Sequence, residues 1–291
     1  MFEAGKPACP VACRYCFITE HDTRRESWNR QPRMGLNKAC SFVNVTPWID
    51  SDPEEQTALR AFPWDILTGD TVGFTAVTDP LWPALDRWLW HWLENASRVA
   101  KLTTCVSKWP ASREVLTRLA TYPNFRLVVT ITGLEAPIER VSVRKHLETL
   151  RACKEIGLPA LPIIHPYIAG LSDLSFLPEL ARMGYSEIDV KGFRYCDAQM
   201  RSWMPEHSRR WYAGREDEEV LPEDGWRQLV EDAGFSMLSP RRWYQREATG
   251  LEPRLSLEEA QQQVRQVCRL ANVVTSATAG EVVAAAVQRR L

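Results

Sequence analysis

Three cysteines near the amino end, Cys9, Cys13 and Cys16, are the residues whose spacing points most directly to chemistry. Pro10 keeps the segment that carries them from forming a helix. Thiolates at this Cys-x3-Cys-x2-Cys spacing are ligands for an iron–sulfur cluster, but three of them cannot complete an ordinary four-cysteine site. Unless a distant fourth ligand joins, one iron of a [4Fe–4S] cluster stays open to a small molecule.

A structural zinc site that uses the same cysteines is the alternative interpretation. Such sites usually contain two Cys-x2-Cys pairs, or cysteines together with a His-x3–5-His pair. No second pair occurs here, and the five histidines are scattered along the chain. The remaining cysteines are all isolated in the sequence: Cys40, Cys105, Cys153, Cys196 and Cys268. The sequence therefore favours the iron–sulfur interpretation over the zinc one.

The elements that must position these thiols alternate between strands and helices from about residue 70 onwards. The predicted strands are 72–77, 101–106, 126–131, 160–164 and 187–190, and the predicted helices are 80–96, one capped by Ser112, 143–156 and 174–183. This alternation, at spacings that suit parallel β/α units, predicts an α/β fold with a (β/α) barrel or open barrel.

In such folds the functional side chains lie at the carboxyl ends of the strands. This rule selects residues 78–79, 107–108, 132–133, 165–170 and 191–196. The alternation ends near residue 200, so we expect a core barrel over 1–196 and a C-terminal extension over 197–291 that covers it. Within the extension, 257–271 and 280–290 are predicted as terminal helices.

The cysteine spacing, with the aromatic Tyr15 directly before the last cysteine, resembles that of the radical S-adenosylmethionine (SAM) superfamily. The resemblance implies a partial (β/α)6 barrel and one [4Fe–4S] cluster on Cys9, Cys13 and Cys16. It also implies SAM on the open iron, with Tyr15 near the adenine. An electron from an external donor such as flavodoxin or ferredoxin would then cleave SAM to a 5′-deoxyadenosyl radical. That radical would abstract hydrogen from a peptide or small-molecule substrate.

A more limited resemblance concerns the spore photoproduct lyase-like branch of that superfamily. The matching segments, all within 9–196, are Thr78-Asp79-Pro80, Ser107-Lys108, Thr130-Ile131-Thr132 and Pro166-Tyr167-Ile168-Ala169-Gly170-Leu171-Ser172-Asp173. The resemblance implies that Thr78 and Asp79 hold the amino end of SAM. It further implies that Lys108, beside Ser107, pairs with the SAM carboxylate, and that Thr130 reaches the ribose or the carboxylate.

These candidate residues also have ordinary structural interpretations. Asp79 before a proline is a good helix N-cap, and Lys108 suits a solvated loop. His165 follows the predicted strand 160–164 and either stacks near adenine or is a hydrogen-bonded rim histidine. Lys191 and Cys196 follow the predicted strand 187–190 and are the candidate catalytic residues. Cys196 either donates a hydrogen atom to a substrate radical or packs as a small buried hydrophobe.

The first barrel strand departs from the superfamily pattern, because only a short segment without strand character precedes Cys9. We expect a very short first strand, a strand near 42–46 that pairs at that edge, or a start that lies farther upstream. Cys40 is an alternative hydrogen donor. Its distance from Cys16 does not match the donor position of the photoproduct lyases, which argues against photoproduct repair.

The charge balance bears on the class of partner. With 36 basic and 37 acidic residues the formal net charge is −1, so a nucleic-acid substrate is possible but not favoured. The basic-aromatic runs 209–212 and 241–246 are expected to cover the barrel opening, with their arginines paired to the acidic run 216–219. No apolar run approaches the roughly 18–20 residues that span a membrane, and no signal peptide is visible, which predicts a cytoplasmic protein.

Overall fold

A largely parallel β-sheet with helices packed on it forms the framework of the protein. The computed structural model describes residues 2–3, 9–16, 33–36, 41–44, 52–55, 71–74, 78–98, 100–194, 196, 198–215, 218–222 and 224–248. The strands among these residues are β1 (Phe2–Glu3), β2 (Arg33–Leu36), β3 (Ser41–Asn44), β4 (Thr71–Phe74), β5 (Leu102–Ser107), β6 (Phe125–Thr130), β7 (Ala160–Ile164), β8 (Glu187–Val190) and β9 (Ser236–Met237). They lie in the order β2-β3-β1-β4-β5-β6-β7-β8-β9.

Six of these strands follow one another both in the sheet and, apart from the β2–β3 insertion, in the chain. β1, β4, β5, β6, β7 and β8 are each parallel to the next. The predicted α/β class is therefore confirmed, and the topology is compatible with a partial barrel.

The α-helices among the described residues are α1 (Asp86–Ala96), α2 (Arg113–Ala120), α3 (Val143–Ile156), α4 (Leu177–Arg182), α5 (Ala198–Arg201), α6 (Glu206–Tyr212), α7 (Trp226–Asp232) and α8 (Pro240–Glu247). Helices α1 to α4 pack against side chains on one face of the strands. Trp88 of α1, Leu116 of α2 and Leu150 of α3 share one buried core with Leu127 and Ile188 of the sheet. Helices α1 to α4 thus cover one and the same face of the sheet.

Most predicted boundaries agree with the structure, and two helix starts were wrong. Helix α3 has the predicted limits and ends at Gly157 in the left-handed conformation, with φ 74°. Helix α1 begins at Asp86 and not at residue 80, because Pro83 holds the residue before it in extended backbone. Helix α4 begins at Leu177 and not at residue 174, with Pro178 in its first turn, where proline is tolerated.

The edge of the sheet at β1 combines two of the sequence expectations. β1 is only two residues long, and Phe2 pairs with Phe74 of β4 on one side. On the other side Phe2 pairs with Val43 of β3. A very short first strand and a strand near 42–46 beside it are both present. Because the strands are parallel, the chain that continues towards Cys9 leaves β1 at the carboxyl edge of the sheet.

The face of the sheet opposite α1 to α4, here called the inner face, is partly filled by α8. Alternate strand residues point to this face, and Val128 and Ile163 pack there against Trp243 of α8. The Thr104 hydroxyl on β5 donates a hydrogen bond of 2.9 Å to the Tyr244 hydroxyl. Residues from the predicted extension therefore lie on the inner face of the sheet.

The described chain beyond residue 196 contacts the sheet at further places. β9 pairs in parallel with β8 and so continues the sheet. Arg246 of α8 donates two hydrogen bonds to Glu187 of β8, at 2.6 and 2.8 Å. Helix α6 packs on the loop after β7, where the Ser208 hydroxyl donates to the Ala169 carbonyl at 2.7 Å. The predicted terminal helices 257–271 and 280–290 lie outside the described residues.

Two arginines of the basic-aromatic runs, Arg210 and Arg246, pair with acidic residues outside the predicted acidic run. Arg210 pairs with Glu206, one turn earlier in α6, because the i, i+4 spacing brings the two side chains together. Glu219 of the acidic run pairs instead with Arg194, in the loop after β8. Among the described residues, no helix is long and apolar enough to cross a membrane.

Candidate functional site

The three predicted ligands share one tightly turned segment, residues 9–16, here called the cysteine loop. The Ala12 amide donates to the Cys9 carbonyl at 3.2 Å, and the Cys16 amide donates to the Cys13 carbonyl at 3.1 Å. Ala12 has a left-handed φ of 45°, which is uncommon for a residue with a side chain. Two successive turns replace a helix here, as the proline in the loop predicts.

The cysteine loop shares an apolar cluster with the loops at the carboxyl ends of β6, β7 and β8. Cys9, Cys13 and Cys16 form no disulfide with the other cysteines of the described residues. In the described part of the chain, no three His, Cys, Asp or Glu side chains are arranged to hold a metal ion. A [4Fe–4S] cluster differs from a single ion, since it takes one thiolate per iron and its ligands surround a larger body. The donor type and the absence of a disulfide among these three cysteines fit such a cluster.

Cys13 is the most enclosed of the three thiols. Burial raises the pKa of Cys13 to about 12, while the positive charge of Lys108 acts in the opposite direction. A cysteine must lose its proton to ligate a metal, so metal binding here would release that proton.

Tyr15 is held by charged groups from two sides. Its hydroxyl donates to Glu139 Oε2 and accepts a hydrogen bond of 2.7 Å from Lys108 Nζ. The same ammonium lies 4.4 Å from the centroid of the Tyr15 ring, within the range of a cation–π contact. Two predicted cofactor residues, Tyr15 and Lys108, are thus brought together at the cysteine loop.

Glu139 ties the cysteine loop to the loop that follows β6. Its side chain is fully buried, and Oε2 also accepts a hydrogen bond of 2.8 Å from the Thr132 hydroxyl. Its Oε1 accepts no hydrogen bond among the described residues and lies 3.6 Å from His146 Nε2. A backbone bond of 3.0 Å from the Arg14 amide to the Ile138 carbonyl joins the same two loops. Sequence reasoning missed Glu139, because one acid in a polar loop carries no pattern.

The burial of His146 decides which charge can balance Glu139. Burial lowers the pKa of His146, so its ring is neutral at neutral pH although it lies beside a carboxylate. Its Nε2 is 2.9 Å from the Lys108 carbonyl, which fits a hydrogen bond donated by the ring. The cation linked to Glu139 is therefore Lys108, through the Tyr15 hydroxyl.

Asp79 joins the carboxyl end of β5 to the segment that follows β4. Oδ1 accepts from the Leu81 amide at 3.1 Å and from the Ser107 hydroxyl at 2.6 Å. Oδ2 accepts from the amides of Lys108 at 2.6 Å and Trp109 at 2.9 Å. Four hydrogen bonds use about all the acceptor capacity of a carboxylate. Asp79 thus positions Ser107 and Lys108, and a direct contact between Asp79 and SAM stays a prediction.

Thr78 and Thr130 are the remaining predicted cofactor residues near these strand ends. Both are buried. The Thr78 hydroxyl has no hydrogen-bond partner among the described residues, although buried hydroxyls nearly always have one. Thr78 directly precedes Asp79 in the sequence, and its hydroxyl can donate a hydrogen bond to a ligand or accept one from it.

Lys191 and His165 lie farther along the mouth of the sheet. Lys191 Nζ is 3.4 Å from Oδ2 of Asp189, a buried carboxylate that sequence reasoning missed. Burial raises the pKa of Asp189, and the charge of Lys191 opposes that change. Solvent reaches the His165 side chain, yet burial lowers its pKa to about 4, helped by the positive charge of Lys108.

Cys196, the predicted hydrogen donor, is buried in the same apolar cluster as the cysteine loop. Its sulfur contacts the Met204 sulfur at 4.0 Å. This environment suits a small hydrophobe, and the donor role stays a prediction. Cys40 and Cys268 lie outside the described residues.

The structure brings the cysteine loop, through Tyr15, together with Lys108, and it links Ser107 and Lys108 to Asp79, although these three segments lie far apart in the sequence. No protein-family model matches the chain. A search of curated proteins finds no match either.

Proposed function

We propose that this chain is a radical SAM enzyme whose [4Fe–4S] cluster is held by Cys9, Cys13 and Cys16. The observation that carries the proposal is the meeting of these thiols with Lys108, through Tyr15, at the carboxyl edge of a parallel sheet. When bound, the cluster and SAM supply reductive cleavage of the sulfonium and hydrogen abstraction from a substrate.

The roles of the surrounding residues follow from their chemistry. SAM carries an ammonium, a carboxylate and ribose hydroxyls. The Lys108 ammonium can pair with the carboxylate, and the unbonded Thr78 hydroxyl can meet a polar group of SAM. Asp79 holds the Lys108 backbone through its amide, so its contribution includes the placement of that lysine. Thr130 and Tyr15 complete the proposed SAM site.

The proposal also includes an electron donor and a substrate. Reductive cleavage requires an external one-electron donor such as flavodoxin or ferredoxin. The substrate is proposed to be a peptide or small molecule. A cytoplasmic location fits this chemistry, because the cytosol keeps cysteine thiols reduced.

Anaerobic reconstitution with iron and sulfide tests the proposal. We expect a brown protein that releases 5′-deoxyadenosine when SAM and a reductant are added. Cys13→Ala should abolish cluster retention. Cys153→Ala, which alters an equally buried cysteine of α3 in the helix-packed core, should retain the cluster. A protein that binds about one zinc, gains no chromophore and releases no 5′-deoxyadenosine would be a zinc-stabilised binding module instead.

A further inference from the structure

The backbone of Lys108 is held on both sides, by groups from two different elements. Its amide donates to Asp79 Oδ2 at 2.6 Å, and its carbonyl lies 2.9 Å from His146 Nε2. Asp79 belongs to the segment after β4, whereas His146 lies near the start of α3. Lys108 directly follows β5, so these two contacts fix the first loop residue after the strand.

The His146 ring makes a single hydrogen bond within the described part of the chain. The side chain is 2% exposed, and its Nδ1 has no hydrogen-bond partner there. Glu139 Oε1 lies 3.6 Å from Nε2, which is too far for a hydrogen bond. Because a carbonyl can only accept, Nε2 carries the hydrogen and donates it to Lys108. The one hydrogen bond of this buried ring is thus directed at the residue proposed to meet the SAM carboxylate.

Helix α3 gives the His146 side chain a fixed support. Leu147, Leu150 and Cys153 of this helix are buried in the core that it shares with the sheet. A side chain that starts from a packed helix has a well-defined position, and its hydrogen bond imposes that position on the group it contacts. His146 therefore ties the loop after β5 to the helix-packed side of the protein.

A neutral donor suits this place better than a charged one. Burial lowers the pKa of His146, although the charge of Glu139 acts in the opposite direction. A protonated ring would compete with the Lys108 ammonium for the Glu139 carboxylate, which is linked to that ammonium through the Tyr15 hydroxyl. The neutral ring holds the Lys108 backbone and leaves the ammonium as the cation that balances Glu139.

We infer that His146 is a positioning residue, whose Nε2–H fixes the Lys108 carbonyl so that the Lys108 ammonium can reach both the Tyr15 hydroxyl and the carboxylate of SAM. The inference rests on the proposed function only in the identity of that anionic ligand. An ammonium has three hydrogen-bond donors, and the hydrogen bond to Tyr15 uses one of them. The strength of a charge-assisted hydrogen bond depends on its geometry, so a shift of the Lys108 loop should weaken SAM binding although His146 does not touch SAM.

Nuclear magnetic resonance of the Lys108 ammonium tests the inference in the full-length, metal-free protein. With ¹⁵N-labelled lysine, the Lys108 signal is the one that Lys108→Met removes. We expect this ammonium to exchange its hydrogens slowly with water, because it is hydrogen-bonded to Tyr15. His146→Leu has no donor and should speed this exchange about 10-fold, as for the loss of one hydrogen bond. His146→Gln keeps an N–H donor near the place of Nε2 and should restore slow exchange.

His91→Leu is the matched control for these variants. His91 is also a buried helix histidine, but its Nδ1 lies 2.8 Å from Glu54 Oε1, so its loss should leave exchange at Lys108 unchanged. If His146→Leu does not fold, His146→Asn takes its place, because its amide is too short to reach the Lys108 carbonyl. Unchanged exchange in the folded His146→Leu or His146→Asn variant, or equally fast exchange in His146→Gln, would overturn the inference.

SAM affinity provides a readout that a merely structural role of His146 would not move selectively. SAM and decarboxylated SAM, which lacks the carboxylate, are titrated by calorimetry into the reconstituted, oxidised protein without reductant. His146→Leu should weaken SAM binding about 10-fold, leave decarboxylated SAM unchanged, and be rescued by His146→Gln. Equal weakening of both probes would contradict the positioning role. If the unaltered protein binds no SAM, the proposed function fails, and the exchange measurement still decides whether His146 positions Lys108.

Discussion

Replacing Glu139 should loosen the cysteine loop even in the absence of metal. The carboxylate accepts hydrogen bonds from Tyr15 and Thr132 and is fully buried. Glu139→Ala removes one partner of a buried charge network that includes Lys108. Such truncations cost about 3–5 kcal/mol, a large share of a typical stability of about 5–15 kcal/mol.

Glu139→Gln provides the finer measurement. It keeps an acceptor of nearly the same shape but removes the charge. A hydrogen bond to a charged group contributes about 1 kcal/mol more than a neutral one, so the loss of charge at two bonds should cost about 2 kcal/mol. The matched control is Glu155→Gln, because Glu155 makes an exposed ion pair with Arg113 at 2.5 Å, and such pairs contribute about 0–1 kcal/mol.

The assay is urea unfolding of the metal-free protein, combined with amide hydrogen exchange over residues 9–16. Glu139→Gln should speed exchange at Arg14, whose amide bonds to the neighbouring loop, while exchange in β6 stays slow. If both Glu139 variants unfold at the same urea concentration as the Glu155 control, or if exchange in the loop does not change, the loop does not depend on this carboxylate and our reasoning is wrong.

Two further predictions concern the loops and α8. Gly133→Ala should destabilise the protein by about 1–3 kcal/mol more than Gly157→Ala in urea unfolding. Both glycines have positive φ, but a Cβ at Gly133 would lie 2.1 Å from the Asp173 carbonyl oxygen, whereas no atom lies within 4 Å of a Cβ at Gly157. Equal losses of unfolding free energy in the two variants would refute this prediction. The hydrogen bonds from Arg246 lower the pKa of Glu187 below its usual 4.5, so their contribution is present above pH 4.5 and is lost as the pH falls through the folded-state pKa. Glu187→Gln should therefore cost about 1 kcal/mol at pH 7 and nothing at pH values below that pKa, and a cost that persists in acid would contradict the ion-pair explanation.

Local signals predicted the elements well wherever neighbouring residues decide the conformation. The limits of α3 were predicted from its apolar period and from Gly157, which ends the helix whatever packs against it. The error at the start of α1 lies next to Pro83, where an apolar period continues past the point at which the backbone can be helical. There the backbone restriction prevails over the side-chain pattern.

The candidate site residues divide in the same way. Asp79 and Lys108 were predicted as candidates because each follows a predicted strand, and parallel strands present such positions at one edge. Their partners were not found. Nothing in the sequence shows that Asp79 would receive four protein hydrogen bonds, or that Glu139 would accept one from Tyr15.

The sequence alone gives the cysteine spacing and predicts the β/α alternation, because each of these patterns depends on residues that are close together in the chain. Only the tertiary structure decided that Tyr15 meets Glu139 across 124 positions of the chain, and that Thr104 meets Tyr244 across 140. Contacts at such separations follow from how the strands and loops assemble, and no local preference encodes them. The hydrogen bonds that hold the cysteine loop to Glu139 and Lys108, and the packing of α8 on the inner face, are both products of that assembly.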